Sequence, residues 1–221
     1  MSKDCCQRDP GEPASAPGDP RIRRVLWAAL LINLSMFLVE TASGLHAGSQ
    51  ALLADAIDFF SDAVNYGVTL AVLPLGLAWR MRAARFKGAT MLLLGLLVAA
   101  RSAWALTQGD APQAMVMGAV GLLALAANVG VALMLYAYRD GDLNMRSVWI
   151  CSRNDAIGNL AVLLAAFGVL GTGSAWPDLM VAAVMSALAI SGGWSILKQA
   201  SREAGQPDSG ADGLGVKTQP H

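Results

Sequence analysis

Apolar residues gather along this chain into long runs broken by short polar or basic stretches. The runs fall at Val25 to Ser43, Ala51 to Trp79, Ala89 to Leu106, Met115 to Tyr138, Ser147 to Leu170 and Pro177 to Leu197. A helix rising about 1.5 Å per residue crosses ~30 Å of hydrocarbon in about 20 residues. Each run is therefore expected to be a membrane span, and the expected fold class is all-α: a polytopic membrane protein built as a six-transmembrane-helix bundle. The connectors are short: Gly44 to Ser49, the basic loop Arg80 to Lys87, Gln108 to Gln113, Arg139 to Arg146 and Gly171 to Trp176. Short connectors make chain neighbours antiparallel. Residues 1–22 are rich in Pro, Gly, Ser and charge and lack a periodic apolar pattern, so they read as a disordered cytoplasmic tail. Residues 23–200 form the six-span membrane domain, and residues 201–221 read as a second disordered cytoplasmic tail.

The basic residues orient the bundle. Arg101 and Arg153 aside, every Lys and Arg lies on the side shared by the two termini, and the three opposite connectors contain none. The positive-inside rule then puts both termini in the cytoplasm of a bacterial cytoplasmic (inner) membrane protein. Composition agrees, with 55% hydrophobic and only 14% charged residues, against roughly a quarter charged in soluble domains. Formal net charge is zero and the basic clusters are not interleaved with aromatics, which excludes a nucleic-acid partner. Three cysteines give neither a disulfide framework nor a Cys-x-x-Cys zinc pattern. The first apolar run follows Arg21, Arg23 and Arg24 without a small-residue cleavage site, so it is read as a retained span rather than a secretory signal.

Against this apolar background the carboxylates stand out. A charge at a helix centre costs about 2.5 to 3.5 kcal/mol even on the lenient insertion scale, so each must face protein, a partner or water. Asp55, Asp58 and Asp62 share one face of the second span at about 100° per residue. Cys151 and Asp155 stand one turn apart on the fifth. Counting residues from the span ends puts Asp62 and Asp155 level, roughly 12 to 14 Å from the cytoplasmic side, with Asp58 a turn further out and Cys151 a turn further in. On this reading Asp58, Asp62, Cys151 and Asp155 supply four ligands, three oxygens and one sulfur. That set suits a borderline or soft divalent ion such as zinc.

The stretch Gly48-Ser49-Gln50-Ala51-Leu52-Leu53-Ala54-Asp55-Ala56-Ile57-Asp58-Phe59-Phe60-Ser61-Asp62 resembles the second-span signature of the cation diffusion facilitator family, where metal ligands sit in a His/Asp-x-x-x-Asp pattern. Asn154 to Asn159 resembles the family's fifth-span signature, and Asp178 its Asp at the start of the last span. The resemblance covers roughly residues 23 to 202. It implies a transporter with no catalytic residues and no cofactor, usually a homodimer in the lipid bilayer, that exchanges a divalent metal ion for protons and exports it from the cytoplasm. Zinc or cadmium is the expected substrate. Three departures are visible: Cys151 stands where His or Asp is usual, the soluble domain common after the sixth span is missing, and no His-rich loop joins the fourth and fifth spans.

Several polar residues remain open to two readings. Asp55 is an entrance ligand or a capping acid that satisfies backbone N–H groups and the dipole near the start of its helix. Glu40 and Arg101, both in the outer half, are expected to form an ion pair, with a proton-relay role for Glu40 as the other reading. Asn33, Asn65, Asn128 and Asn159 read as interhelical hydrogen-bond donors and acceptors, Asn159 also as an accessory group behind the site. Cys5 and Cys6 are incidental thiols, a lipidation site or accessory carriers of soft metal. Two rivals compete with transport: an intramembrane metal-dependent phosphotransferase, which also uses Asp-x-x-x-Asp, and a metal-binding membrane protein that does not translocate. The phosphotransferase pattern needs Gly and Arg upstream, and the ten residues before Asp62 contain neither.

Overall fold

In a computed structural model of the chain, the described residues are 20–71, 77–136 and 143–204, with the side chains at 71, 77–78, 80, 143–154 and 203–204 outside that description. The all-α expectation holds. The described residues form six helices, α1 (Pro20–Ala47), α2 (Gln50–Ala71), α3 (Leu77–Gln108), α4 (Ala114–Tyr136), α5 (Leu143–Thr172) and α6 (Trp176–Ala204). Their principal partnerships are α1 with α2, α3 with α6 and α4 with α5, while α2 also touches α3, α5 and α6.

Five of the six helices are long and apolar enough to cross a membrane. The exception is α2, whose three aspartates interrupt the apolar run. Its position explains how it tolerates them. The large exposed hydrophobic side chains, among them Leu31, Leu38, Leu93, Leu122, Leu164 and Val184, belong to the other helices, and none belongs to α2. At 22 residues, α2 is about 33 Å long, long enough to span while its neighbours face the lipid. One core joins Leu52, Leu53 and Ile57 of α2 to Met91, Val98, Met117, Val162, Val169 and Met185 of the four helices α3 to α6. A second packs Leu26 and Ala29 of α1 with Tyr66, Val131 and Leu135. Between them Met36, Phe59 and Ala124 bring α1, α2 and α4 together.

Two boundaries differ from the apolar-run reading. The second run was expected to continue to Trp79, but Leu77 and Trp79 already belong to α3, and positions 72–76 lie outside the described residues. The basic stretch Arg80 to Lys87 is consequently not a loop but the first turns of α3, where Arg82 lies 5.1 Å from the ring centre of Trp79. The turn between α1 and α2 is shorter than expected, because α1 continues through Leu45 and His46 to Ala47. Gly48 then takes a φ of 72°, a left-handed conformation that glycine reaches without a Cβ clash. Close approach of α3 and α6 rests on Gly193, where a Cβ would stand 2.7 Å from the Gly88 carbonyl oxygen.

Candidate functional site

The entrance to α2 is held from across the bundle. Asp178, in the first turn of α6, accepts three hydrogen bonds: from Ser49 Oγ at 2.6 Å, from the Gln50 N–H at 2.8 Å and from the Ala51 N–H at 3.1 Å. Ser49 Oγ in turn accepts the Leu52 N–H at 3.1 Å. Ser49 is thus the N-cap, and the Asp178 carboxylate sits against the positive end of the α2 dipole. Asp55 does not have the capping role considered for it, since it lies beyond the first turn and its buried side chain faces α1. Asp178→Ala is expected to destabilise the protein by about 1 to 3 kcal/mol, because it orphans buried donors. A lowered thermal midpoint in detergent checks this, and an unchanged midpoint contradicts it.

Farther along α2, Asp62 meets Asp155 of α5, the two carboxyl groups lying within hydrogen-bonding reach of one another, a bond that needs one of them to hold a proton. Asp62 is buried and Asp155 half-buried. Residue counting placed these two at one level, and the helices bring them into contact. Beside them is a group that the sequence reading put in a loop. Lys87 of α3 is only 5% exposed, donates from Nζ to Asn65 Oδ1 at 2.7 Å and lies within electrostatic reach of Asp62. Asn65 is therefore an interhelical acceptor, as expected. Asn33 is not: its amide donates to the Ala29 carbonyl at 2.8 Å within its own helix. Asn159, fully buried and one turn beyond Asp155, has neither amide atom hydrogen bonded among the described residues.

A second acidic group lies nearer the N-terminal end of α2. Glu40 of α1 is fully buried against Asp55, and the half-buried Asp58 is close enough for its charge to act on Glu40. Two ionised carboxylates are acceptors only, so a hydrogen bond between Glu40 and Asp55 forms only when one of them holds a proton. Without it, neither Glu40 oxygen has a donor among the described residues. The expected ion pair between Glu40 and Arg101 is not formed. Helix α2 lies beside α1 where α3 was imagined, and Arg101 is exposed on α3.

The proposed ligand set is brought together in part. Asp62 and Asp155 converge, and Asp58 is close enough to Glu40 for its charge to act there. Among the described residues no three His, Cys, Asp or Glu side chains gather into a metal-holding group. Cys151 lies in α5, one turn before Asp155, but its side chain is outside the described residues. Cys5 and Cys6 lie outside them altogether. The residue that sequence reading missed is Lys87, for which Pro74, a residue that disfavours helix before it, was the available sequence signal; α3 carries Lys87 into the bundle.

The family profile described as Cation efflux transmembrane domain matches residues 26–203, which include all six helices in whole or large part. The chain belongs to the cation efflux family. Among its relatives, a cadmium, cobalt and zinc/H(+)-K(+) antiporter of Bacillus subtilis is 22% identical over 190 residues, covering 80% of this chain and 61% of that protein. Metal cation efflux system protein CzcD of Cupriavidus metallidurans is 24% identical over 189 residues, 79% of this chain and 59% of the relative. Zinc transporter ZitB of Escherichia coli is 24% identical over 200 residues, 85% of this chain and 64% of the relative. The chain thus spans about three-fifths of the length of the relatives it matches.

Proposed function

We propose that this cation efflux protein moves a divalent transition-metal ion, zinc or cadmium in first place, out of the cytoplasm in exchange for protons. The observation that carries the reading is the meeting of Asp62 and Asp155 across α2 and α5, inside a bundle whose outer helices present leucines to lipid. Asp58 and Cys151 complete the ligand set on this reading, Asp58 one turn outward along α2 and Cys151 one turn inward along α5. The named activities of the relatives support efflux over an intramembrane phosphotransferase. Lipid-facing helices and the sidedness of Lys and Arg support a cytoplasmic-membrane location with cytoplasmic termini. A homodimer is the working unit that the family resemblance implies.

Exchange follows from the chemistry of the ligands. A carboxylate or thiolate binds the metal only after giving up its proton, so metal binding releases protons and an acidic exterior drives the ion off. In vesicles with the cytoplasmic face outward, an acidic lumen is expected to drive metal uptake against its gradient. Dissipating the proton gradient with an ionophore is expected to abolish that uphill uptake. Unchanged uphill uptake after the gradient is gone would rule out proton exchange.

A further inference from the structure

Placing a lysine inside a cation site calls for an explanation. Lys87 enters the bundle from the cytoplasmic end of α3, is almost fully buried, and hydrogen bonds through Nζ to Asn65 at 2.7 Å. Asn65 follows Asp62 by three residues and so lies on the same side of α2. The hydrogen bond therefore holds the ammonium beside the carboxylate that meets Asp155. A buried lysine is normally anchored by a carboxylate in direct contact, yet the hydrogen-bond acceptor here is a neutral amide, which positions the charge without neutralising it.

We propose that Lys87 is a tethered cation that competes with the transported metal for Asp62 and Asp155, keeping the site's affinity low enough for release. The inference rests on the transport reading above and concerns how tightly that same site holds its ion. With Asp58, Asp62, Asp155 and Cys151 all ionised, a divalent ion would balance half of four negative charges, and so dense an anionic site in low dielectric would hold the ion too firmly to turn over. Transport requires binding strong enough to load and weak enough to unload. One fixed positive charge answers this directly. It repels the divalent ion through a medium where such interactions are much larger than in water, and Asn65 keeps it from swinging out to solvent. Lys87 is a positioning and affinity-setting residue on this account, since it touches no ion itself.

The test is equilibrium cadmium binding to the purified full chain in detergent, at one fixed pH above the range in which carboxylates titrate and below that in which a lysine ammonium gives up its proton. Under that condition Lys87 keeps its charge, and wild type and variants are compared at the same level of proton competition. Lys87→Gln removes the charge while keeping an N–H donor for Asn65, and Lys87→Met provides a second neutral side chain should the first fail to fold. Both are expected to bind cadmium about tenfold more tightly or better. Lys87→Arg keeps the charge and is expected to stay near wild type. In vesicles the neutral variants should show a lowered KM together with a lowered kcat, because tighter binding slows release. Structural damage does not produce a gain in affinity, so the direction of the change separates the two explanations. Unchanged or weaker binding by neutral variants that retain wild-type helical content would overturn the proposal while leaving the transport reading intact. Wild-type protein that binds no cadmium would instead overturn both.

Discussion

Asp62→Ala and Asp155→Ala are each expected to reduce zinc or cadmium flux to the level of protein-free liposomes, while the variants still insert and retain their helices. Both residues contribute one oxygen side of the contact between α2 and α5, and neither lies in the packed apolar cores around Leu52, Leu26 or Met36. Loss of function should therefore come without loss of fold. Removing an outer hydrogen-bond partner of a metal ligand typically costs about 10- to 100-fold in affinity or activity, so removing a ligand itself should exceed that range. Asp62→Asn and Asp155→Asn sharpen the test, since each keeps shape and hydrogen-bonding capacity but not the anionic oxygen. Substantial flux through either alanine variant would mean that the ion passes elsewhere.

The second large effect concerns which ion passes. Cys151 shares the helical register of Asp155, one turn earlier in α5, and thiolate sulfur favours zinc and cadmium over manganese, iron or magnesium. Carboxylate oxygens pull toward the harder ions. Cys151→Asp replaces the soft donor with another anionic oxygen ligand, so cadmium transport is expected to fall far more than manganese transport, and the ratio of the two fluxes is the readout. A uniform fall in all fluxes, or none, would make Cys151 a packing residue. The selectivity argument would then have no donor behind it.

Much of this architecture is legible in the chain because hydrocarbon thickness sets a length that apolar runs must match. That rule yields the six helices and also the level pair Asp62 and Asp155, since a rise per residue converts sequence position to depth. It does not say which helices are neighbours. Glu40 was expected to meet Arg101 because both lie in the outer half, but depth alone cannot distinguish α2 from α3 as the partner of α1, and Glu40 faces Asp55. The cap on α2 escaped for the same reason: Asp178 and Gln50 are 128 residues apart, and no local pattern links them. Lys87 was misplaced by a different route. The apolar run through Val72 and Leu73 continues across Pro74 into Leu75, so hydrophobicity alone extended the second span to Trp79 and left the basic residues in a loop. Giving proline its backbone consequence would have returned Lys87 to a helix.

The positions of the acidic residues along α2 describe a sequence of polar steps rather than one compact cage. Asp178 and Ser49 secure its N-terminal end, Glu40 with Asp55 forms a buried acidic contact next, and Asp62 with Asp155 and Lys87 lies further along the helix. A helix so loaded survives in a membrane because its neighbours shield it. The same arrangement supplies protonatable groups at successive depths, which is what exchange of a cation for protons requires.

The central claim is that the chain moves a divalent metal ion across a membrane instead of merely binding it or using it in catalysis. The most direct measurement is zinc or cadmium uptake into sealed liposomes containing only the purified full-length chain, followed by a metal-sensitive dye trapped in the lumen. The account predicts time-dependent luminal accumulation well above that of protein-free liposomes and of liposomes carrying Asp62→Ala. Metal bound by the protein with no luminal signal above those two controls would contradict it.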